Sequence, residues 1–206
     1  MRLAEPVTSG TQVVEAFDVS PDGSWLAFDS DRGGTQQIYR APLAGGEPEQ
    51  LTTGTEPAFF PRISPDGREV AYHGFRRGIR QIFVIPADGG TATQVTSGKT
   101  DYRAAEWAPD GRALAILESA FTPAQETAIV TRNAAGRWGV PQTLVKGGDI
   151  GLWASDGRSV LVRLGGLGPG EPGGGSGLEI VPSRGGVGRL VVQAIGAPLA
   201  VFVDAI

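Results

Sequence analysis

The apolar positions of this chain fall in short bursts. WLAFDS at 25–30, QQIYRAPL at 36–43, EVAYHG at 69–74 and RQIFVIPA at 80–87 are rich in aromatic and β-branched side chains and bounded by Gly or Pro. Runs of that length and composition read as β-strands, because an amphipathic helix needs an apolar stripe sustained over ten or more residues. The polar punctuation between the bursts repeats. FDVSPDGSWLAF at 17–28, RISPDGREVAY at 62–72, EWAPDGRALAI at 106–116 and LWASDGRSVLV at 152–162 place Asp22, Asp66, Asp110 and Asp156 at intervals of 44, 44 and 46 residues.

The repeated Asp-Gly pair has a mechanical meaning. Pro21, Pro65 and Pro109 preset the turn's φ, the four aspartates can accept from nearby backbone N–H groups, and Gly23, Gly67, Gly111 and Gly157 tolerate the positive φ of a chain reversal. A second corner, AGGE at 44–47 and DGGT at 88–91, follows at the same offset. Each unit therefore predicts four strands: one before the first corner, one after it, one at QQIYRAPL or RQIFVIPA, and one ending in QLTTG (50–54) or QVTSG (94–98). A period of roughly 40–45 residues is that of a four-stranded propeller blade, whose two apolar faces must be buried against neighbouring blades.

The order SPDG, apolar strand, DRGG (31–34), IY, GG and LT resembles the Pro-Asp-Gly, WD-like propeller repeats of the TolB family, and similar repeats form the propeller of prolyl-oligopeptidase-type serine peptidases. The likeness is close over 17–54 and 61–98 and partial over 105–145. It implies an all-β propeller and partners in the cell envelope. It transfers no functional residue, because the matching motifs are all structural.

The expected architecture is one propeller domain over 1–206, with blades at about 11–54, 55–98, 99–146 and 147–196 and single orphan strands at 1–10 and 197–206. PVTSG at 6–10 is the outermost strand of a blade whose other strands do not precede it, and APLAVFVDAI at 197–206 reads as one further innermost strand. One orphan, four blades and another orphan suggest an open arc of a six- or seven-bladed propeller; a four-bladed ring closed by the two orphans is the alternative. An open arc would expose apolar blade faces and self-associate.

Charge and composition narrow the function. A net charge of −4 offers no basic stripe for nucleic acid. No apolar run is long enough for a membrane span and no leader pattern stands at 1–10, so the chain is expected to be soluble without membrane insertion, cytoplasmic by default and periplasmic by the family resemblance. Without cysteine there is no disulfide and no thiolate chemistry.

Chemical motifs are few, and each has a plainer reading. TSGKT at 96–100 lacks the upstream Gly of a phosphate loop, since that position is Thr93. GPGEPG at 168–173 leads into no helix and reads as an enlarged hairpin loop. DSDRGG at 29–34 begins like a calcium loop but carries Arg40 where the bidentate Glu belongs, so Asp31 and Arg32 are expected to bond within the hairpin. His73, the sole histidine, has no G-x-S-x-G nucleophile to serve and is expected to be structural or solvent-exposed. No cofactor and no metal are expected, and a lyase built on clustered histidines is disfavoured.

Binding candidates arise where geometry repeats and chemistry does not. Five residues before the first corner the four repeats carry Glu15, Phe59, Arg103 and Asp149, which should face the central channel. Trp25, Trp107 and Trp153 are expected in the inter-blade core, and Trp138, on a loop, is a candidate partner contact. The expected function is a non-enzymatic scaffold for a protein or peptide partner; the alternative is the substrate-gating propeller of an oligopeptidase-type enzyme.

Overall fold

The corner, strand and corner order of each repeat folds as an antiparallel meander. The computed structural model describes residues 12–119, 122, 125–164 and 176–194, so PVTSG, GPGEPG and APLAVFVDAI lie outside the described residues. The first sheet holds β1 (Phe17–Val19), β2 (Trp25–Ser30), β3 (Gln37–Pro42) and β4 (Glu49–Gln50). The second holds β5 (Ala58–Ile63), β6 (Glu69–Arg76), β7 (Ile79–Pro86) and β8 (Thr93–Gln94). The third holds β9 (Tyr102–Trp107), β10 (Ala113–Glu118), β11 (Glu126–Thr131) and β12 (Gln142–Lys146). The fourth holds β13 (Gly148–Trp153), β14 (Ser159–Leu164), β15 (Ser176–Pro182) and β16 (Arg189–Ala194). Each sheet has four strands in sequence order, and among the described residues there is no helix.

Successive strand residues point to opposite faces, so each sheet has two sides to bury. Trp25, Ala27 and Ile38 of the first sheet meet Val70, Tyr72 and Ile85 of the second. From the other side of the second sheet, Ala71, Ile82 and Val84 meet Leu114, Ile116 and Val130 of the third. Ala115 and Ile129 in turn meet Val160 and Val162 of the fourth. Each such Val, Leu or Ile contributes roughly 1.5–3 kcal/mol when fully buried, and none could do so in an isolated sheet. The sheets therefore stack as propeller blades, with β1, β5, β9 and β13 touching in succession along the inside.

Polar contacts fix the stacking. The Trp107 indole N–H donates to the Arg62 carbonyl at 3.0 Å, and 46 residues later Trp153 donates to the Glu106 carbonyl at 3.0 Å. Trp25 is buried within the packing of the first two sheets. Among the described residues the first and fourth sheets share no extensive packing, and Phe17 and Val19 on β1 are 65% and 43% exposed.

The threonines of QLTTG and QVTSG explain why β4 and β8 are short. Thr52 Oγ1 accepts the Ile38 N–H at 2.9 Å and donates to Gln37 Oε1 at 2.6 Å; Thr96 does the same with Ile82 (2.9 Å) and Gln81 (2.8 Å). A side chain thus takes over the ladder where the chain leaves for the next sheet. The glutamine amides then donate onward, Gln37 to the Glu56 carbonyl (3.1 Å) and Gln81 to the Thr100 carbonyl (2.9 Å), tying each connector to its blade.

Candidate functional site

The innermost strands have two ends, and they differ in what their side chains are free to do. At the Asp-Gly end every group is committed to the turn. Ser20 Oγ donates to Asp22 Oδ1 (2.6 Å) and accepts from Ser24 N (3.1 Å) and Trp25 N (3.0 Å). Ser64 donates to Asp66 Oδ1 (2.6 Å) and accepts from Glu69 N (2.9 Å). The Ser20 hydroxyl, with help from Ser24, holds the Asp22 carboxyl down at about 2, and the Ser64 hydroxyl lowers Asp66 in the same way. Asp110 and Asp156 accept from Arg112 N (2.9 Å) and Arg158 N (2.8 Å). Gly23, Gly67, Gly111 and Gly157 all adopt φ between 66° and 70°, a conformation that glycine takes without penalty.

The opposite end, where the innermost strands begin, is irregular. The β5–β6 register shifts between Phe59 and Arg62, the β9–β10 register shifts at the matching place, and Phe60 (φ 55°) and Ala104 (φ 43°) occupy the left-handed region. For residues bearing a Cβ this costs about 1–3 kcal/mol each, and such bulges re-aim the neighbouring side chains.

Asp29 anchors the first of these bulges. Its carboxylate is fully buried; Oδ1 accepts from Glu15 N (2.8 Å), Ala16 N (2.9 Å) and Gln36 Nε2 (3.3 Å), and Oδ2 accepts from Phe60 N (3.0 Å) in the next sheet. Its oxygens are thus engaged with backbone and amide donors, and Asp31 accepts from Val13 N at 2.9 Å.

Beside Asp29 lies a cavity of about 330 Å³, lined by Glu15 from the segment leading into β1 and by Phe59, Phe60, His73, Arg80, Arg103, Ala104 and Leu117 from the second and third sheets. Its volume is at the lower end of the range for small-molecule and side-chain pockets. His73 is only 5% exposed and stacks on Phe59 (5.5 Å between centroids) and Phe60 (5.4 Å). Its Nδ1 is buried with no hydrogen-bond partner. Burial first, then the positive charges of Arg80 and Arg103, lower its pKa to about 3, with Asp101 pulling weakly the other way. The imidazole is therefore neutral at ordinary pH. Asp101 bridges the two cations, at 3.0 Å from Arg103 Nε and 3.5 Å from Arg80 Nη1, while the Arg80 guanidinium lies 4.7 Å from the centre of the Phe75 ring.

Among the described residues His73 bonds to no hydroxyl or carboxylate, and no group of three His, Asp or Glu could hold a metal ion.

Three of the residues singled out by repeat diversity, Glu15, Phe59 and Arg103, come together in this cavity. Asp149 does not line it; its carboxylate pairs with Arg163 of the fourth sheet. Trp138 is half-buried and packs on Trp107 (6.0 Å), with the Arg132 guanidinium 5.3 Å and 5.4 Å from the two rings and 2.7 Å from Glu69. It belongs to the packing of the second and third sheets, away from the cavity. Phe60, Arg80, Ala104 and Leu117 escaped the sequence reading, and His73, expected there to be structural or solvent-exposed, is buried and lines the cavity. The signal was present one strand further on. Seven residues after the corner aspartates stand Asp29, His73, Leu117 and Arg163, again four different chemistries at one repeated place.

A family model described as TolB beta propeller domain matches residues 7–138, and the chain belongs to that family. Among solved structures it is similar to a protein described as TolB from Agrobacterium tumefaciens, with a TM-score of 0.72 and 21% identity over 92% of this chain and 69% of that one. TolB from Acinetobacter baumannii matches with a TM-score of 0.67 and 18% identity, over 91% and 45%. The acylaminoacyl peptidase of Pyrococcus horikoshii matches with a TM-score of 0.62 and 17% identity, over 90% and 33%. At these identities the likeness establishes the propeller fold. No curated protein matches the chain.

Proposed function

We propose that this TolB beta propeller domain protein is a non-enzymatic binding scaffold that seats a peptide segment of a protein partner in the cavity at the head of its innermost strands. The observation carrying this reading is the division of labour between the two ends. The Asp-Gly end repeats one structural solution four times. The other end holds a concave site to which the first three repeats bring Glu15, Phe59 and Arg103 at one repeated position, the last two next to strained, bulged backbone. A neutral histidine without a nucleophile supports recognition over catalysis. Likeness to the propeller of a peptidase supports a second reading, a domain that gates access to a hydrolase.

Panning a random peptide display library against the full chain tests the proposal. Enriched peptides should lose binding to Phe59→Ala and Arg103→Glu variants that retain the wild-type melting temperature. Peptides that bind both variants as well as wild type, or no enrichment at all, would overturn it. Hydrolysis of peptides that tracks the intact chain would overturn the non-enzymatic part of the proposal.

A further inference from the structure

We propose that the cavity selects an uncharged aromatic ring, seated against Phe59, Phe60, Ala104 and Leu117 beside the carboxylate-paired arginines Arg80 and Arg103. This rests on the binding reading above and names the group that the site takes from its partner.

Charge decides first. Arg80 and Arg103 line the cavity, and the Asp101 carboxylate lies 3.5 Å and 3.0 Å from them. Glu15 brings a second carboxylate to the lining, so two negative groups offset the two positive ones. His73 adds no charge, because its imidazole is neutral at ordinary pH. An anionic ligand would meet Glu15 and compete with Asp101 for the guanidiniums, and a cationic one would meet two arginines. Either gives up hydration without gaining a counter-ion, which makes its transfer into the site unfavourable.

Wall chemistry decides among uncharged groups. Phe59, His73 and Phe60 form a stack whose successive ring planes are 26° and 20° apart, and Leu117 and Ala104 extend the apolar lining. The volume of about 330 Å³ admits one side chain or one small ring system. Elsewhere in the chain an arginine already paired with a carboxylate still carries an aromatic ring. Arg40 pairs with Asp88 and lies 4.5 Å from the Trp25 ring centre, and Arg132 pairs with Glu69 and lies 5.4 Å and 5.3 Å from Trp107 and Trp138. Arg80 itself pairs with Asp101 while lying 4.7 Å from the Phe75 ring centre. The face of a ring is attracted to a guanidinium without displacing its counter-ion, whereas an aliphatic group gains nothing from the charge. A ring therefore matches both the apolar wall and the paired arginines. The same chemistry is offered by a Phe, Tyr or Trp side chain of a peptide and by a free aromatic molecule.

Because His73 is the protein's only histidine, labelling the full chain with ring-15N,13C histidine gives a single imidazole to follow in the cavity wall. The probes are acetyl-Ala-Phe-Ala-amide, its counterparts with Leu, Asp or Lys in the middle, and p-cresol as a free ring. We expect saturable shifts of the His73 signals with the Phe peptide, about three- to tenfold weaker binding of the Leu peptide, and weaker binding still of the Asp and Lys peptides. Glu15→Gln, a change at an exposed side chain, removes one of the offsetting carboxylates. It should strengthen binding of the Asp peptide and leave that of the Phe peptide within about twofold. Tight binding of the Phe peptide with weak binding of p-cresol assigns the ring to a peptide side chain, and the reverse assigns it to a free aromatic molecule; both support the proposal. A Leu peptide that binds as tightly as the Phe peptide, or an Asp or Lys peptide that binds more tightly, would overturn it while leaving the scaffold reading intact. Silent His73 signals alongside library peptides that bind would do the same, and so would an Asp peptide indifferent to Glu15→Gln. Silence with every probe and no enriched peptide would remove both.

Discussion

Asp29 and His73 occupy the same place in consecutive repeats, 44 residues apart, and meet opposite fates. Asp29 joins two sheets through four hydrogen bonds, three of them from the backbone N–H groups of Glu15, Ala16 and Phe60. His73 is equally buried but leaves Nδ1 unpaired and instead stacks on two phenylalanines. In the third repeat the position is Leu117, apolar and buried. One blade needs a carboxylate there to hold the backbone; the others fold without it. The position thus ties backbone in the first sheet and lines the cavity in the second.

Removing Asp29 should have the largest effect. Asp29→Ala leaves buried N–H groups of Glu15, Ala16 and Phe60 without an acceptor and should cost about 3–5 kcal/mol, read from urea unfolding. A loss under about 1 kcal/mol would break the contrast, because Asp29 would then be no more structural than His73.

The next effect is one of pH. The native pKa of His73, about 3, lies below its ordinary value of 6.5, so the unfolded chain takes up a proton that the folded one refuses. Stability is fully retained above pH 6.5 and declines as pH falls towards 3, by several kcal/mol in total, since each unit is worth about 1.4 kcal/mol. Glu106 and Glu118, raised mainly by burial, tilt the curve the opposite way above 4.5, and Asp22 and Asp66 add acid sensitivity only below 3.8. The difference between wild type and His73→Leu isolates the histidine. The variant copies the third repeat and should be neutral or about 1 kcal/mol more stable at pH 7, with its advantage growing towards pH 4. Parallel pH curves for the two proteins would show that the imidazole takes up its proton as readily in the fold as in the unfolded chain.

Smaller effects separate the two ends. Ser64→Ala removes the hydroxyl that serves Asp66 and Glu69 and should cost about 1 kcal/mol. Arg103→Gln should change stability by less than about 0.5 kcal/mol, because its partly exposed pair with Asp101 contributes little. An arginine that mattered more than the serine would mean that the cavity end holds the fold together.

The corners, strand count and blade period were legible because they are local. Pro, Asp and Gly at fixed spacing dictate a turn whatever surrounds it, and two-residue alternation dictates a two-faced sheet. Diversity at a repeated place singled out Glu15, Phe59 and Arg103, and the fold brings these three into one cavity. The same test passed over His73 and Leu117 because it was applied only to the innermost strand, while the cavity wall also draws on β6, β7 and β10. Asp149 met the criterion equally well but pairs within its own sheet with Arg163. Spacing alone could not tell a partnered carboxylate from a cavity-lining one. Trp138 carried an interface-like side chain on a loop, yet the loop folds it onto Trp107.

The amino-acid order by itself determined four meandering sheets whose apolar faces oblige them to stack, since turn chemistry and strand alternation act over a few residues. Only the tertiary structure decided which side chains share a space. The reach of Asp29 across a sheet boundary to Phe60, 31 positions on, and the meeting of His73 with Arg103 of the next sheet in one cavity depend on contacts between residues about 30 positions apart. Those distances are set by how neighbouring blades lean on each other, and no local pattern encodes them.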